Sequence, residues 1–102
     1  MQFYVGTYVG DSNEDAIFLC TLDPETGTVD LQGAVSGIAN PSFLALAPDG
    51  HTLYAVSERR PRRAGRQGEL HAFRVEPRSA GFKPLGSVDS CGVGPCHVSV
   101  DP

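Results

Sequence analysis

Apolar and polar positions alternate along most of this chain in short runs, and each run soon meets a glycine, proline, asparagine or aspartate. No segment keeps apolar residues at helical spacing for three turns. The pattern predicts strands over residues 3–8, 16–22, 28–35, 42–47, 52–57, 69–75, 82–88 and 96–100. These runs are rich in the β-branched and aromatic residues that suit a pleated, half-buried surface. Between them, Asp23-Pro24-Glu25-Thr26-Gly27 and Glu76-Pro77-Arg78-Ser79-Ala80-Gly81 read as hairpin loops, with proline setting φ and glycine free to take φ > 0. Pro48-Asp49-Gly50 reads as a third, tighter turn joining Leu46 to Leu53. The expected fold class is all-β.

Laid on itself, the chain repeats. Leu22-Asp23-Pro24 matches Val75-Glu76-Pro77, and Asn40-Pro41-Ser42-Phe43-Leu44-Ala45-Leu46-Ala47-Pro48 matches Gly94-Pro95-Cys96-His97-Val98-Ser99-Val100-Asp101-Pro102, at offsets of about 53 and 54 residues. A four-stranded repeat of roughly 50 residues is a β-propeller blade, its strands running a to d from the axis outward. On this reading, residues 1–102 are the N-terminal portion of one propeller domain: a partial blade over 1–36, a complete blade over 42–88, and the first inner strand of the next over 96–102. Strand a of the partial blade is then expected from a distant C-terminus, so the remaining blades are the chain's first partners. Open inner edges also predict self-association of the isolated chain. A self-contained sandwich of about eight strands is the competing architecture, and the shortage of capping features argues against it.

Composition narrows the function classes. The 102 residues are 40% hydrophobic and contain no run near the eighteen or so apolar residues of a membrane-spanning helix. The opening Met1-Gln2-Phe3-Tyr4-Val5-Gly6 has neither a basic region nor an unbroken apolar one, and a cytoplasmic setting is expected. Three cysteines, Cys20, Cys91 and Cys96, leave one unpaired in any disulfide scheme and suit a reducing compartment. A net charge of −4 gives no global attraction to nucleic acid or to an anionic membrane, so neither is an expected partner and any anion site must be local.

The motifs Tyr4-Val5-Gly6-Thr7-Tyr8, Leu22-Asp23-Pro24-Glu25-Thr26-Gly27, Asn40-Pro41-Ser42-Phe43-Leu44-Ala45, Pro48-Asp49-Gly50 with Leu53-Tyr54-Ala55-Val56, and Gly94-Pro95-Cys96-His97-Val98-Ser99-Val100-Asp101-Pro102 carry a family resemblance. Together, in this order, they resemble the N-terminal part of the seven-bladed β-propeller lactonases. That family includes the propeller-type 6-phosphogluconolactonases and is similar to the carboxymuconate-lactonising enzymes. The resemblance implies a parent protein that hydrolyses 6-phosphogluconolactone or a similar sugar lactone in the pentose phosphate pathway, without a cofactor. A non-catalytic propeller that binds a ligand or protein, and a lactone-forming muconate cyclase, are the alternatives, since this fold hosts many functions. The family's active-site residues are expected on blades beyond residue 102, and the isolated chain is expected to be inactive.

In an up-and-down blade the b–c loops and the d-to-next-a loops share one end. That end collects residues 10–15, 36–41, 57–68 and 89–95, and the candidate chemistry sits there. His97 follows the Gly92-Val93-Gly94-Pro95 loop at the start of an inner strand, and an imidazole with an ordinary pKa near 6.5 can take a proton from water. The opposing reading is a packed histidine, because its repeat partner is Phe43. Residues 58–68 hold five of the eight basic residues. Within them Arg59 and Arg60 lie nearest the strand and are the candidates for binding phosphate or an oxyanion, and Glu58 is a candidate base. A solvated loop is the plainer alternative, and no aromatic residue interleaves with the arginines as nucleic-acid binding would favour. Cys91, Cys96 and His97 lack the fourth ligand of a zinc site, so no metal is expected. Asp11, Glu14 and Asp15 do not follow a calcium-loop order.

Overall fold

The computed structural model describes residues 1–10, 13–59, 67–76 and 78–102. Within them lie seven strands: β1 (Gln2–Gly6), β2 (Ile17–Leu22), β3 (Val29–Val35), β4 (Leu44–Leu46), β5 (Thr52–Ser57), β6 (Glu69–Glu76) and β7 (Gly81–Asp89). They form two antiparallel sheets, β1-β2-β3 and β4-β5-β6-β7, each an up-and-down meander in chain order. Among the described residues no helix is long and apolar enough to cross a membrane.

Two of the three turns form for the expected reasons, whereas in the turn before β7 the left-handed residue is Ala80 (φ 55) and not the expected Gly81. Gly27 (φ 75) returns its N–H to the Asp23 carbonyl at 2.8 Å, while the Asp23 carboxylate accepts from Glu25 N–H at 2.9 Å. Gly50 (φ 77) donates to the Ala47 carbonyl at 2.9 Å. Both glycines take a left-handed conformation that a side chain would oppose.

The internal repeat reappears in the hydrogen-bonded ladders. Ile17 pairs Val35 and Leu22 pairs Val29 in the first sheet; 53 positions on, Leu70 pairs Val88 and Val75 pairs Phe82 in the second. Each of these ladders slips by one residue at the same place. Leu19 faces Gly33 and Cys20 faces Leu31, leaving Gln32 as the extra residue; Ala72 faces Gly86 and Phe73 faces Pro84, leaving Leu85. These are β-bulges, which raise the local twist of an outer strand.

The two sheets pack face to face. Alternation along each strand puts Tyr4, Ile17 and Leu19 on one inner face, and Leu53, Ala55, Phe73 and Val75 on the other. Ile17, Leu19, Leu53 and Val75 are fully buried there, with Ile38 from the connecting segment. Phe82 joins the sheets edge-on, 5.8 Å from Tyr4 and 6.4 Å from Phe73. Two glycines permit the close approach: a Cβ on Gly6 would collide with the Pro41 carbonyl, and one on Gly33 would lie 2.5 Å from the Ala80 carbonyl oxygen.

The expected strand over 96–100 carries no ladder, and β4 is shorter than its expected span. A strand exists only where a neighbour takes up its backbone groups, and among the described residues nothing pairs with 96–100.

Candidate functional site

Asn40 organises the end of the molecule where the candidate residues gather. Its backbone is left-handed (φ 46), which asparagine tolerates better than most side chains. Its side-chain oxygen accepts from Gly10 N–H at 2.6 Å, and its amide nitrogen donates to the Glu58 carbonyl at 3.1 Å. The Asn40 carbonyl in turn accepts from Glu58 N–H at 3.1 Å. Just below, the buried Ser57 hydroxyl donates to the Ala39 carbonyl at 2.5 Å. One side chain therefore ties together three of the four loops expected at this end.

The fourth loop is tied from the other side of the long connection. Gly68 N–H donates to the Gly92 carbonyl and Ser90 N–H to the Gly68 carbonyl, both at 2.9 Å. Gly68 also has no room for a side chain, because a Cβ there would meet the ring of Pro95. Loop 89–95 is closed on itself: Asp89 accepts from Cys91 N–H at 2.7 Å, and Ser90 donates its hydroxyl to Gly92 at 2.9 Å.

The sequence candidates fall into separate places. Glu58 is held by both its backbone groups on Asn40 and is half-buried. His97 is exposed, its ring 4.5 Å from that of Phe43 and tilted by 44°. The repeat partners Phe43 and His97 thus lie side by side in space. Arg59 turns inward: its Nε lies 3.0 Å from Glu69 Oε1, with its N–H on the Ser57 carbonyl at 2.9 Å. Arg60 lies outside the described residues, as do Asp11 and the rest of the arginine run. Among the described residues, no three histidine, cysteine, aspartate or glutamate side chains gather as metal ligands.

Two residues at this end were not singled out from the sequence. Glu69 Oε2 lies 3.3 Å from His71 Nε2, so one carboxylate faces both a guanidinium and an imidazole. Glu69 and His71 are two apart on β6 and, as the ladder partners of Ser57 and Ala55, share their face of the sheet, which is turned toward the first sheet. Burial holds the His71 pKa below the ordinary imidazole value, with Arg59 pushing the same way and Glu69 pulling against both. The Glu69-Leu70-His71 spacing in a predicted strand was the available signal.

The family described as lactonase, 7-bladed beta-propeller, matches residues 2–102. Over 98 residues the chain is 28% identical to a 6-phosphogluconolactonase of Formosa agariphila and 30% identical to one of Bacillus subtilis. Each alignment covers 96% of this chain, but only 27% and 26% of those proteins. The solved structure of the periplasmic gluconolactonase of Pseudomonas aeruginosa superposes with a TM-score of 0.83 at 26% identity, covering 98% of this chain and 28% of that one. The chain thus spans about a quarter of the length of the relatives it matches.

Proposed function

This chain belongs to the lactonase family of seven-bladed β-propellers, and from that premise we propose that the whole protein hydrolyses 6-phosphogluconolactone or a closely similar sugar lactone. The observation that supports the reading is the likeness to two relatives named for that activity, and the loop-built end of the two sheets carries Glu58 and Arg59, with His97 apart from them beside Phe43. In the proposed reaction, His97 or Glu58 takes a proton from water as the water oxygen bonds the lactone carbonyl carbon. Arg59 and Arg60 neutralise the phosphate and the developing oxyanion. Collapse of the tetrahedral intermediate breaks the ring C–O bond, and the ring oxygen takes up the proton to leave an open-chain hydroxy acid. No cofactor enters this scheme.

A cytoplasmic setting belongs to the same proposal and is favoured by the three free thiols, Cys20, Cys91 and Cys96. The remaining blades, supplied by the rest of the protein, complete the ring and bring further site residues.

The test is acid release from 6-phosphogluconolactone by the full-length protein, with and without His97→Ala. Loss of a general base lowers kcat by roughly 10²- to 10⁴-fold. An unchanged rate removes His97 from the mechanism, and no hydrolysis by the unaltered protein removes the function.

A further inference from the structure

Arg59, Glu69 and His71 form a largely buried cluster of ionisable side chains at the loop end, and of the three only Arg59 enters the proposed reaction. Side-chain exposures are 18% for Arg59, 28% for Glu69 and 15% for His71, and both Arg59 Nε and His71 Nε2 are closed off from solvent. Arg59 comes from the connection after β5, whereas Glu69 and His71 begin β6, so the carboxylate bridges the two ends of the long loop. Each of its oxygens has its own partner: Oε1 the guanidinium, Oε2 the imidazole.

Among the described residues, the groups facing His71 come from three strands and one loop. Glu69 stands on its own strand and Arg59 on the loop; Ala55 on β5 and Ser87 on β7 are its ladder partners. A neutral imidazole here leaves Glu69 its full negative charge to set against Arg59. The ion-pair contact at Nε, 3.0 Å from Glu69 Oε1, sets the guanidinium against the carboxylate and limits its swing. A pre-oriented arginine loses less freedom when it takes a bidentate oxyanion than one swinging in water.

We propose that Glu69 is a positioning residue for substrate selection: held between Arg59 and His71, its carboxylate fixes Arg59 as the contact for the phosphate of a phosphorylated lactone. This rests on the lactonase reading. Glu69 touches no substrate itself and acts through Arg59.

The experiment compares 6-phosphogluconolactone with unphosphorylated gluconolactone in the full-length protein. Glu69→Gln, which keeps the shape and removes the charge, is expected to raise KM for the phosphorylated lactone about tenfold with little change in kcat, so that selectivity for phosphate falls by the same factor. Arg59→Gln is expected to match it, and the double variant to lose no more than either alone, because both act on one contact. Glu69→Asp, with the carboxylate restored on a shorter stem, is expected to recover part of the selectivity. Additive losses, an equal loss on both lactones, or unchanged selectivity in Glu69→Gln each overturn the proposal while leaving the lactonase reading standing. Failure of the unaltered protein to hydrolyse either lactone overturns both.

Discussion

At the scale of single residues, the consequence open to direct measurement is that of His71. Its imidazole lies 3.3 Å from the Glu69 carboxylate, with the Phe73 ring nearly parallel to it at 6.2 Å. Folding lowers its pKa below the ordinary value of about 6.5, so the folded protein binds this proton less tightly than the unfolded chain does. The resulting stability is complete above the unfolded pKa and is lost as pH falls through 6.5 toward the lower folded value. In thermal melts of the full-length protein between pH 7.5 and 5, His71→Gln should flatten the acid side of the stability profile. Parallel profiles for the two proteins would show that His71 is not the titrating group. Asn40 offers a different lesson at the same scale. Its repeat partner is Gly94, and both are left-handed, with φ of 46 and 63. A pairing of asparagine with glycine in the self-alignment signals the backbone shape, but not the three loops that the asparagine side chain ties together.

At the scale of strands, packing depends on the absence of a side chain at Gly33. Its Cβ would lie 2.5 Å from the Ala80 carbonyl oxygen and 3.0 Å from the Ala80 methyl, and its φ is not in the left-handed region, so a substitution tests contact alone. Gly33→Ala should force β3 away from the turn before β7 and destabilise the protein by roughly 1–3 kcal/mol, read as a lower melting temperature. An unshifted melt would mean that the two sheets are not in register as described. The strands themselves were largely legible: Thr52–Ser57 matches its expected span, and six others lie within a few residues of theirs. What escaped has physical causes. A bulge shifts the period-2 pattern by one residue, and only Gly33 and Gly86 hint at the slips beside Gln32 and Leu85. The ladders also show that Gly6 corresponds to Val56, an offset of 50, whereas the following strands keep 53. Three additional residues therefore fall between β5 and β6, the connection that contains the arginine run. Self-alignment without coordinates cannot place such an insertion, because the two loops share no residue pattern. The sequence likewise pointed to Arg59 for its charge, while its partner Glu69 became visible only once β5 and β6 were paired.

At the scale of the whole molecule, the two sheets bury one face each against the other and leave their inner edges without a ladder partner among the described residues. The outer edge is well protected: β7 carries Lys83, Pro84 and a bulge, all features that discourage further pairing. The inner edge has no such protection. β4 is Leu44-Ala45-Leu46, with Leu46 44% exposed, and neighbouring Phe43 is 36% exposed. In a closed propeller, inner strands line a central channel and their blade faces are covered by neighbouring blades. The isolated 102-residue chain has only its own copies with which to cover them. It should therefore self-associate, with a sedimentation coefficient that rises with concentration, and Leu46→Lys should weaken that association by placing charge beside the open strand. A concentration-independent monomer would mean that these edges are closed in solution by a rearrangement of the two sheets. Association that Leu46→Lys leaves unaltered would move the contact from the β4 edge to another apolar surface, such as the outward face of the first sheet, where Val5 is 38% exposed.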